Sequence, residues 1–332
     1  MTLRIGIIGG AGHTDYVPNG IAELGDATVC AIARGGPGDD LEQIRQSSRA
    51  APGVAAYDDY RELLSRETPD IVAVLPEFHL HAEIAAEALR RGIPVFCEKP
   101  LALTLDGVDR VRQARQASGT PLGMMLAFRY APSFYTARKL VRQGAIGQPA
   151  VGYAQKSYKH GTRPDFYRKR ATFGGIIPWI GIHAIDWFQW ISGRTYRAVT
   201  AFHSKLHYYP DYPEMEDAAT CLFELDNGGT AVMSFDFLRP EGAPTHGDDR
   251  LRLVGDEGAI EVRGDTGVEL ITKKGVVHVA PSAPPHGLFA DFALSVKDRN
   301  HTGLLGGDEA IRITEIALKT RDAADRHERV AL

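Results

Sequence analysis

The pattern of apolar and polar positions changes near residue 123, and its two parts predict two kinds of sheet. Before that point, short apolar runs alternate with segments of helical periodicity, which is typical of a parallel, doubly wound sheet. The predicted strands are 3–8, 27–33, 71–75, 94–97 and 122–126. The predicted helices between them are 17–24, 57–66, 79–91 and 105–117.

After residue 123, alternating apolar and polar positions predict a second, mostly antiparallel sheet. Its predicted strands are 150–158, 199–207, 218–225, 230–237, 250–254, 259–262, 268–271 and 276–279. The predicted helices of this part are 132–143, 288–297 and 308–327. The sequence therefore predicts an α/β fold with two domains, residues 1–122 with the parallel sheet and residues 123–332 with an α/β architecture and a large open-faced sheet.

Composition narrows the possible partners and compartment. The 332 residues carry 38 basic and 42 acidic side chains, a balance that does not favour nucleic acid. Cys30, Cys97 and Cys221 lie in apolar runs at unrelated spacings, which favours a reducing compartment over a disulfide framework. A strand begins at Leu3 with no apolar leader before it, and no run approaches ~20 apolar residues. We therefore expect a cytoplasmic protein with no membrane partner.

The run from 94 to 97 ends abruptly in Glu98, Lys99 and Pro100. Ligands of doubly wound sheets bind outside the carboxyl ends of the strands. Glu98 and Lys99 are therefore expected beside a cofactor, with Pro100 fixing the backbone that directs them. The alternative is an ordinary surface pair of opposite charges.

A glycine-rich turn follows the first strand and predicts a dinucleotide pyrophosphate site. The turn consists of Gly9, Gly10, Ala11, Gly12, His13 and Thr14. The G-x-G-x-x-G pattern is incomplete in either register, so a tight turn that only needs positive φ is the alternative.

The end of the second strand bears on the choice of coenzyme. Arg34 stands where NAD enzymes usually carry an acid for the ribose, and an arginine favours the 2′-phosphate of NADP. A solvent-facing Arg34 is the alternative, and Asp39 or Asp40 farther along the loop could supply the acid. The predicted cofactor is NAD(P), with Arg34 favouring NADP.

Five short motifs follow one another along the chain. They are Pro76-Glu77-Phe78-His79-Leu80-His81, Glu98-Lys99-Pro100, Arg129-Tyr130-Ala131-Pro132, Gly181-Ile182-His183-Ala184-Ile185-Asp186 and Met215-Glu216-Asp217. In this order they resemble the motifs of the glucose-fructose oxidoreductase / inositol dehydrogenase / MocA family. The resemblance implies a Rossmann domain and NAD(P)-linked hydride transfer at a sugar, glycoside or cyclitol-like carbon. It also implies a homodimer or homotetramer formed through the second sheet.

The resemblance assigns roles to individual residues. Lys99 and His183 are the expected catalytic pair, with His183 as base and Lys99 polarising the reacting oxygen. The residues expected on the cofactor, besides the glycine turn, are Arg34, Pro76, His79, His81, Glu98, Lys99 and Arg129. The residues expected on the substrate are Lys99, Lys156, His160, Tyr167, Trp179 and His183. Asp186 either orients His183 or caps the structure.

Two positions depart from the family pattern. Trp179 replaces an Asp that many members carry four residues before the histidine, and Ala127 replaces an Asn. A tryptophan offers a flat apolar face in place of a proton-carrying group. His79 and His81 have a spacing that could bind metal, but they lack carboxylate partners, so no metal is predicted. The alternative functions are a redox-assisted glycosidase or eliminase that retains NAD, and a non-catalytic dinucleotide-binding regulator.

Overall fold

The computed structural model describes residues 2–264 and 267–332, which form two compact units. The first unit comprises Met1–Leu126, Ala171–Gly174 and His286–Glu315, and the second comprises Ala127–Arg170, Gly175–Pro285 and Ile316–Leu332. The predicted division places one boundary after residue 122, whereas the first unit also includes later segments. The helix Leu288–Lys297 belongs to it because Phe289 and Phe292 pack on Phe96, with ring centroids 5.2 and 5.4 Å away.

The first unit contains a six-stranded parallel sheet in the order β3-β2-β1-β4-β5-β6. The strands are β1 Leu3–Ile8, β2 Ala27–Ala33, β3 Ala55–Tyr57, β4 Ile71–Val74, β5 Val95–Cys97 and β6 Leu122–Met124. The helices that follow them are α1 Tyr16–Leu24, α2 Leu41–Ser47, α3 Tyr60–Arg66, α4 His81–Arg90 and α5 Leu105–Ser118. The strand order reverses between β1 and β4, which confirms the predicted doubly wound sheet.

The second unit contains a nine-stranded sheet in the order β14-β13-β12-β11-β7-β10-β9-β8-β15. Its strands are β7 Pro149–Tyr158, β8 Tyr196–Ser204, β9 Ala218–Leu225, β10 Thr230–Asp236, β11 Gly247–Gly255, β12 Gly258–Arg263, β13 Gly267–Thr272, β14 Gly275–Val279 and β15 Val330–Ala331. β7 and β10 run parallel and the other described pairs are antiparallel, so the predicted mostly antiparallel sheet is confirmed.

Five more α-helices lie within the residues that the structure describes. They are α6 Pro132–Arg142, α7 Arg170–Phe173, α8 Ile182–Ser192, α9 Leu288–Lys297 and α10 Gly307–Arg326. A π-helical turn, Ile177–Gly181, leads directly into α8. Among the residues described, none of these or the earlier helices combines the length and apolarity needed to cross a bilayer.

The two faces of the second sheet differ in burial. One face packs on α8, and Gly152 of β7 allows this because a Cβ there would lie 2.0 Å from the Phe188 ring. The other face carries a row of directly paired apolar residues, Tyr153, Val232 and Leu222, which are 51, 36 and 48% exposed. We call these three residues the apolar row.

Candidate functional site

The glycine turn lies against the carboxyl ends of β4 and β5 in the first unit. Gly9 has φ +80°, and a Cβ there would lie 2.4 Å from the backbone of Pro76. At Gly12, a Cβ would lie 2.7 Å from Cγ of Glu98. Both glycines are therefore required by close approach to neighbouring residues, in addition to any role toward a ligand.

Asp39 fastens the turn to the loop after β2. Its carboxylate accepts hydrogen bonds from the backbone N–H groups of Gly10, Gly35 and Gly36, at 3.3, 2.9 and 3.1 Å. Asp40 instead caps α2, accepting from the N–H groups of the first helical turn. Asp39 and Asp40, the two acids that the sequence offers for the ribose, thus bind different parts of the backbone.

Arg34 lies at the carboxyl end of β2, where the coenzyme ribose is expected. Its backbone N–H donates to the carbonyl of Tyr57 at 3.1 Å, and its Nε lies 3.4 Å from a carboxylate oxygen of Asp58. The side chain is 40% exposed. This placement is compatible with both the coenzyme role and the solvent-facing alternative.

Glu98 is a buried carboxylate that organises the end of β5. It accepts hydrogen bonds from the backbone N–H of His13 at 2.8 Å and from His13 Nδ1 at 3.0 Å, and Lys99 Nζ lies 4.0 Å away. Burial alone would raise the pKa of Glu98, but His13 and Lys99 lower it to about 2. A fixed negative charge therefore lies between the glycine turn and the buried Lys99.

His81 holds the loops after β4 and β5 together. Its Nδ1 lies 2.7 Å from the carbonyl oxygen of Pro100, and its Nε2 lies 3.0 Å from that of Pro76. Burial lowers the pKa of His81, opposed by these two carbonyl groups. Because both ring nitrogens are occupied, His81 acts in this structure by positioning the Glu-Lys-Pro loop.

His79 has a different environment from His81, since it is partly exposed and its Nδ1 lies 3.6 Å from Glu77. Within 2–264 and 267–332, no cluster of three His, Cys, Asp or Glu residues is arranged to hold a metal ion.

In the second unit, Arg129 and Asp186 form a fully buried ion pair. Arg129 Nη2 donates to Asp186 at 2.6 Å, and its Nε lies 3.1 Å from both carboxylate oxygens. The Arg129 guanidinium also lies 5.5 Å from the ring centroid of Trp190. The sequence predicts that Arg129 contacts the cofactor and that Asp186 orients His183 or caps the structure. In this structure the two side chains bind each other.

His183 is buried in the first turn of α8, with its ring edge-on to Phe128 at a centroid distance of 5.2 Å. Lys156 is buried against the same phenylalanine, with Nζ 3.8 Å from the ring centroid. Phe128 therefore brings two of the predicted substrate contacts close to one another.

Lys156 has a carboxylate partner that sequence reasoning missed. Its Nζ donates to Asp249 at 2.7 Å. Burial lowers the pKa of Lys156 to about 8, while the charge of Asp249 opposes that shift. The signal lay in the register of β7 with β11, which places Asp249 directly opposite Lys156.

The face of Trp179 is covered. Its ring stacks on Phe237 at 5.4 Å, and the Arg163 guanidinium lies 4.8 Å from its centroid. Trp179 is 4% exposed, and its predicted contact with a substrate stays a prediction.

His160 and Tyr167 are buried in the same aromatic environment. His160 stacks on Tyr209 at 3.6 Å, and Tyr167 lies edge-on to Trp179 at 5.0 Å. We call His160, Tyr167, Trp179, Tyr209 and Phe237 the aromatic cluster. Arg163, which sequence reasoning did not single out, packs against it.

Comparisons with known proteins identify relatives of both units. Residues 3–125 match the model of an oxidoreductase family with an NAD-binding Rossmann fold, and residues 134–261 match the GFO/IDH/MocA C-terminal domain. An oxidoreductase structure from Thermotoga maritima superposes with a TM-score of 0.91 at 40% identity, covering 99% of this chain and 100% of that one.

Curated relatives include inositol dehydrogenases. The inositol 2-dehydrogenase of Salmonella typhimurium is 28% identical over 209 residues, which cover 61% of this chain and 58% of that protein. The match thus spans less than two thirds of that relative's length. The inositol 2-dehydrogenase/D-chiro-inositol 3-dehydrogenase of Lactiplantibacillus plantarum is 26% identical, with 78% of this chain and 71% of that protein covered.

Proposed function

Because this chain belongs to the Gfo/Idh/MocA family of oxidoreductases, we propose that it is an NAD(P)-dependent dehydrogenase or reductase. The proposed substrate is a secondary alcohol or ketone of a sugar, glycoside or cyclitol-like compound, in line with the inositol dehydrogenases among its relatives. The observation that carries this proposal is Lys99, a buried cation at the carboxyl end of β5 that lies 4.0 Å from Glu98, the carboxylate hydrogen-bonded to the glycine turn.

The first unit fits a dinucleotide. Its strand order reverses at β1, and the glycine turn and the start of α1 follow that strand, which is the arrangement that binds pyrophosphate. When bound, the nicotinamide accepts or donates the hydride. In this proposal the glycine turn holds the pyrophosphate, and Glu98 and Lys99 lie toward the nicotinamide end.

The chain's own residues handle the proton and the charge. His183 takes the hydroxyl proton during oxidation, since an imidazole titrates near neutral pH. Lys99 stabilises the negative charge that develops on the substrate oxygen. Because Asp186 binds Arg129, the packing of His183 against Phe128 is what we expect to fix its orientation.

Substitution at these two positions tests the proposal. Lys99→Met and His183→Asn should each lower kcat by ~10²-fold or more, because each removes a group that acts in the transition state. Coenzyme affinity, measured by fluorescence titration with NADH and NADPH, should stay measurable in both. Lys274→Met and His278→Asn, at exposed positions, are the matched controls.

Unchanged turnover in both active-site variants would contradict this mechanism. Stoichiometric dinucleotide retained through purification, without net turnover of added coenzyme, would instead favour the redox-assisted glycosidase or eliminase. Coenzyme binding with no reaction on any sugar or polyol would favour the regulator.

We further infer a preference for NADP from Arg34, whose guanidinium could pair with a 2′-phosphate. Arg34→Ala should weaken NADPH binding by about 10-fold, since a charge-assisted hydrogen bond contributes that much, and leave NADH binding nearly unchanged. Calorimetric titration measures both, with Arg49→Ala as the control at an exposed arginine. Equal losses for the two coenzymes would rule out this role.

We also infer that the apolar row contacts a second copy of the chain. Three adjacent apolar side chains exposed at the centre of a sheet face are typical of an interface. A homodimer or homotetramer formed through this face is therefore our proposal for the oligomeric state.

A further inference from the structure

Arg163 carries a positive charge that no described carboxylate neutralises. Its guanidinium lies 4.8 Å from the Trp179 centroid and 6.0 Å from those of Tyr167 and Phe237. Its Nη2 donates to the carbonyl oxygen of Lys159 at 3.2 Å, while its Nε is buried and has no hydrogen-bond partner in the described chain. A cation held in this way among aromatic rings lacks the counter-charge that such groups normally have.

Charges of both signs lie near Arg163, but none of the described carboxylates forms an ion pair with it. Burial lowers the pKa of Arg163. The pKa of His246 is lowered first by burial and then by the charges of Arg163, Lys156 and Lys159, while the charge of Glu241 raises it. The acid on Lys156 is Asp249, and it is already paired. Among the described residues, Arg163 therefore has charged neighbours but no ion-pair partner.

Asp217 and Glu241 are the acids whose charges act on His160, and Asp217 is already engaged by backbone groups. Asp217 raises the pKa of His160 against the larger effect of burial, which lowers it. Its carboxylate accepts from the backbone N–H groups of Leu206, His207 and Tyr208, at 2.5, 3.1 and 3.3 Å. The Asp217 carboxylate is thus already hydrogen-bonded to backbone N–H groups.

His160 contributes a second unsatisfied atom to the aromatic cluster. Its Nδ1 lies 2.7 Å from the carbonyl oxygen of Gly161, and because a carbonyl only accepts, Nδ1 carries the proton. Nε2 is then an acceptor, and it is buried without a partner in the part of the chain described. Arg163 and His160 both pack against Phe237, with 6.0 and 5.8 Å to its ring centroid.

We propose that Arg163 and His160 recognise a substrate that carries both a carboxylate and hydroxyl groups, such as a sugar acid. The Arg163 guanidinium binds the carboxylate, and His160 Nε2 accepts a hydrogen bond from a hydroxyl. This inference rests on the proposed dehydrogenase function and narrows its substrate class. Trp179 links Arg163 to the proposed catalytic residue His183. Its ring stacks on Arg163, and it lies four residues before His183 on a continuous helical segment.

The test compares acidic sugars with their neutral counterparts. Coenzyme-dependent oxidation of D-glucuronate and D-galacturonate is measured against D-glucose and D-galactose, in the wild type and in Arg163→Gln. We expect kcat/KM to be at least about 10-fold higher for the acids, which is the discrimination expected from one charge-assisted hydrogen bond. Arg163→Gln should remove that difference, because it should lower efficiency on the acids, mainly through KM, by a larger factor than on the neutral sugars.

Two further variants separate recognition from folding. Arg168→Gln is the matched control, because Arg168 is an exposed arginine of the same segment that pairs with Asp165 at 2.8 Å. Arg163→Lys keeps the charge and should retain part of the preference for acids. The thermal midpoint of ligand-free Arg163→Gln should equal or exceed that of the wild type, since the variant removes an uncompensated cation. A purely structural Arg163 predicts a lower midpoint.

The outcomes separate the proposed dehydrogenase function from the inferred recognition of a carboxylate. Failure to bind either coenzyme would contradict the proposed function itself. Coenzyme binding with equal efficiency on acidic and neutral sugars, or equal losses on both in Arg163→Gln, would overturn only the inference about the carboxylate. Coenzyme binding with neither turnover nor a thermal shift from the acidic probes would overturn it as well.

Discussion

Lys156 is a buried side chain that can carry a positive charge, and its neighbours explain how a charge can be buried there. Its ammonium lies 3.8 and 4.4 Å from the ring centroids of Phe128 and Tyr158 and donates to Asp249. The rings and the carboxylate favour the charged form, while loss of water favours the neutral one. The result is a pKa of about 8, far below the ordinary lysine value of 10.5.

This lowered pKa predicts a specific pH dependence of stability. Below pH 8 both the folded and the unfolded chain hold the proton of Lys156, so its contribution does not change with pH. Between pH 8 and 10.5 only the unfolded chain holds it, so raising the pH favours the folded state. The free energy of unfolding of the wild type, relative to Lys156→Met, should rise by roughly 2 kcal/mol from pH 8 to pH 10.

Urea unfolding of the two proteins at each pH measures this difference. The exposed Lys274→Met variant provides the baseline, because its difference from the wild type should stay flat. A flat difference for Lys156→Met too would show that the folded and unfolded states titrate alike at this position.

The sequence pattern identifies candidate site residues but does not identify the residues that contact them. Lys99 could be placed from its position after an apolar strand, and Glu98 with it. Asp249 and Arg163 could not, because one depends on the register of β7 with β11 and the other on how a loop folds over Trp179. Contacts between residues distant in sequence are set by tertiary structure, which periodicity alone does not contain.

At the scale of elements, the turn between β1 and α1 depends on Gly12. An alanine there would place its Cβ 2.7 Å from the buried side chain of Glu98. We expect Gly12→Ala to lower the free energy of unfolding by ~1–3 kcal/mol, since a buried neighbour has to shift, and to weaken coenzyme binding. Gly242→Ala is the control, because a Cβ at that position meets nothing within 4 Å.

Urea unfolding and NADH titration provide the two measurements for the glycine variants. If Gly12→Ala matched Gly242→Ala in both, the close approach of Glu98 would not constrain the turn.

Elements with strong periodicity were predicted well, and short polar ones were not. The predicted segments 218–225 and 288–297 coincide with β9 and α9. α2 was missed because Ile44 is its one buried residue. The segment 57–66 was predicted as one helix, but Tyr57 ends β3 and Asp59 caps a helix that begins at Tyr60, accepting from the N–H of Arg61. Local capping chemistry therefore decided the boundary.

At the scale of the whole molecule, the apolar row makes the oligomeric state testable. Tyr153→Lys combined with Leu222→Lys places two charges on the exposed face of β7 and β9 without entering the buried face. If this face joins two copies, the double variant should sediment as a monomer at micromolar concentration while keeping its far-UV circular dichroism, because desolvating two ammonium groups opposes association.

Val277→Lys is the comparison for this experiment, because Val277 is 55% exposed on β14 at the far edge of the same sheet. An unchanged sedimentation coefficient in the double variant would exclude the apolar row as the contact between copies.

The carboxylate of Asp39 has a consequence for anyone who wishes to redesign coenzyme choice. It holds Gly35 and Gly36, which follow Arg34, and at the same time Gly10 in the glycine turn. A graft that lengthens or shortens the loop after β2 would therefore also release the turn after β1. Exchanges confined to the side chain of Arg34, with Asp39 and the loop length preserved, are the route by which specificity could be altered independently of binding.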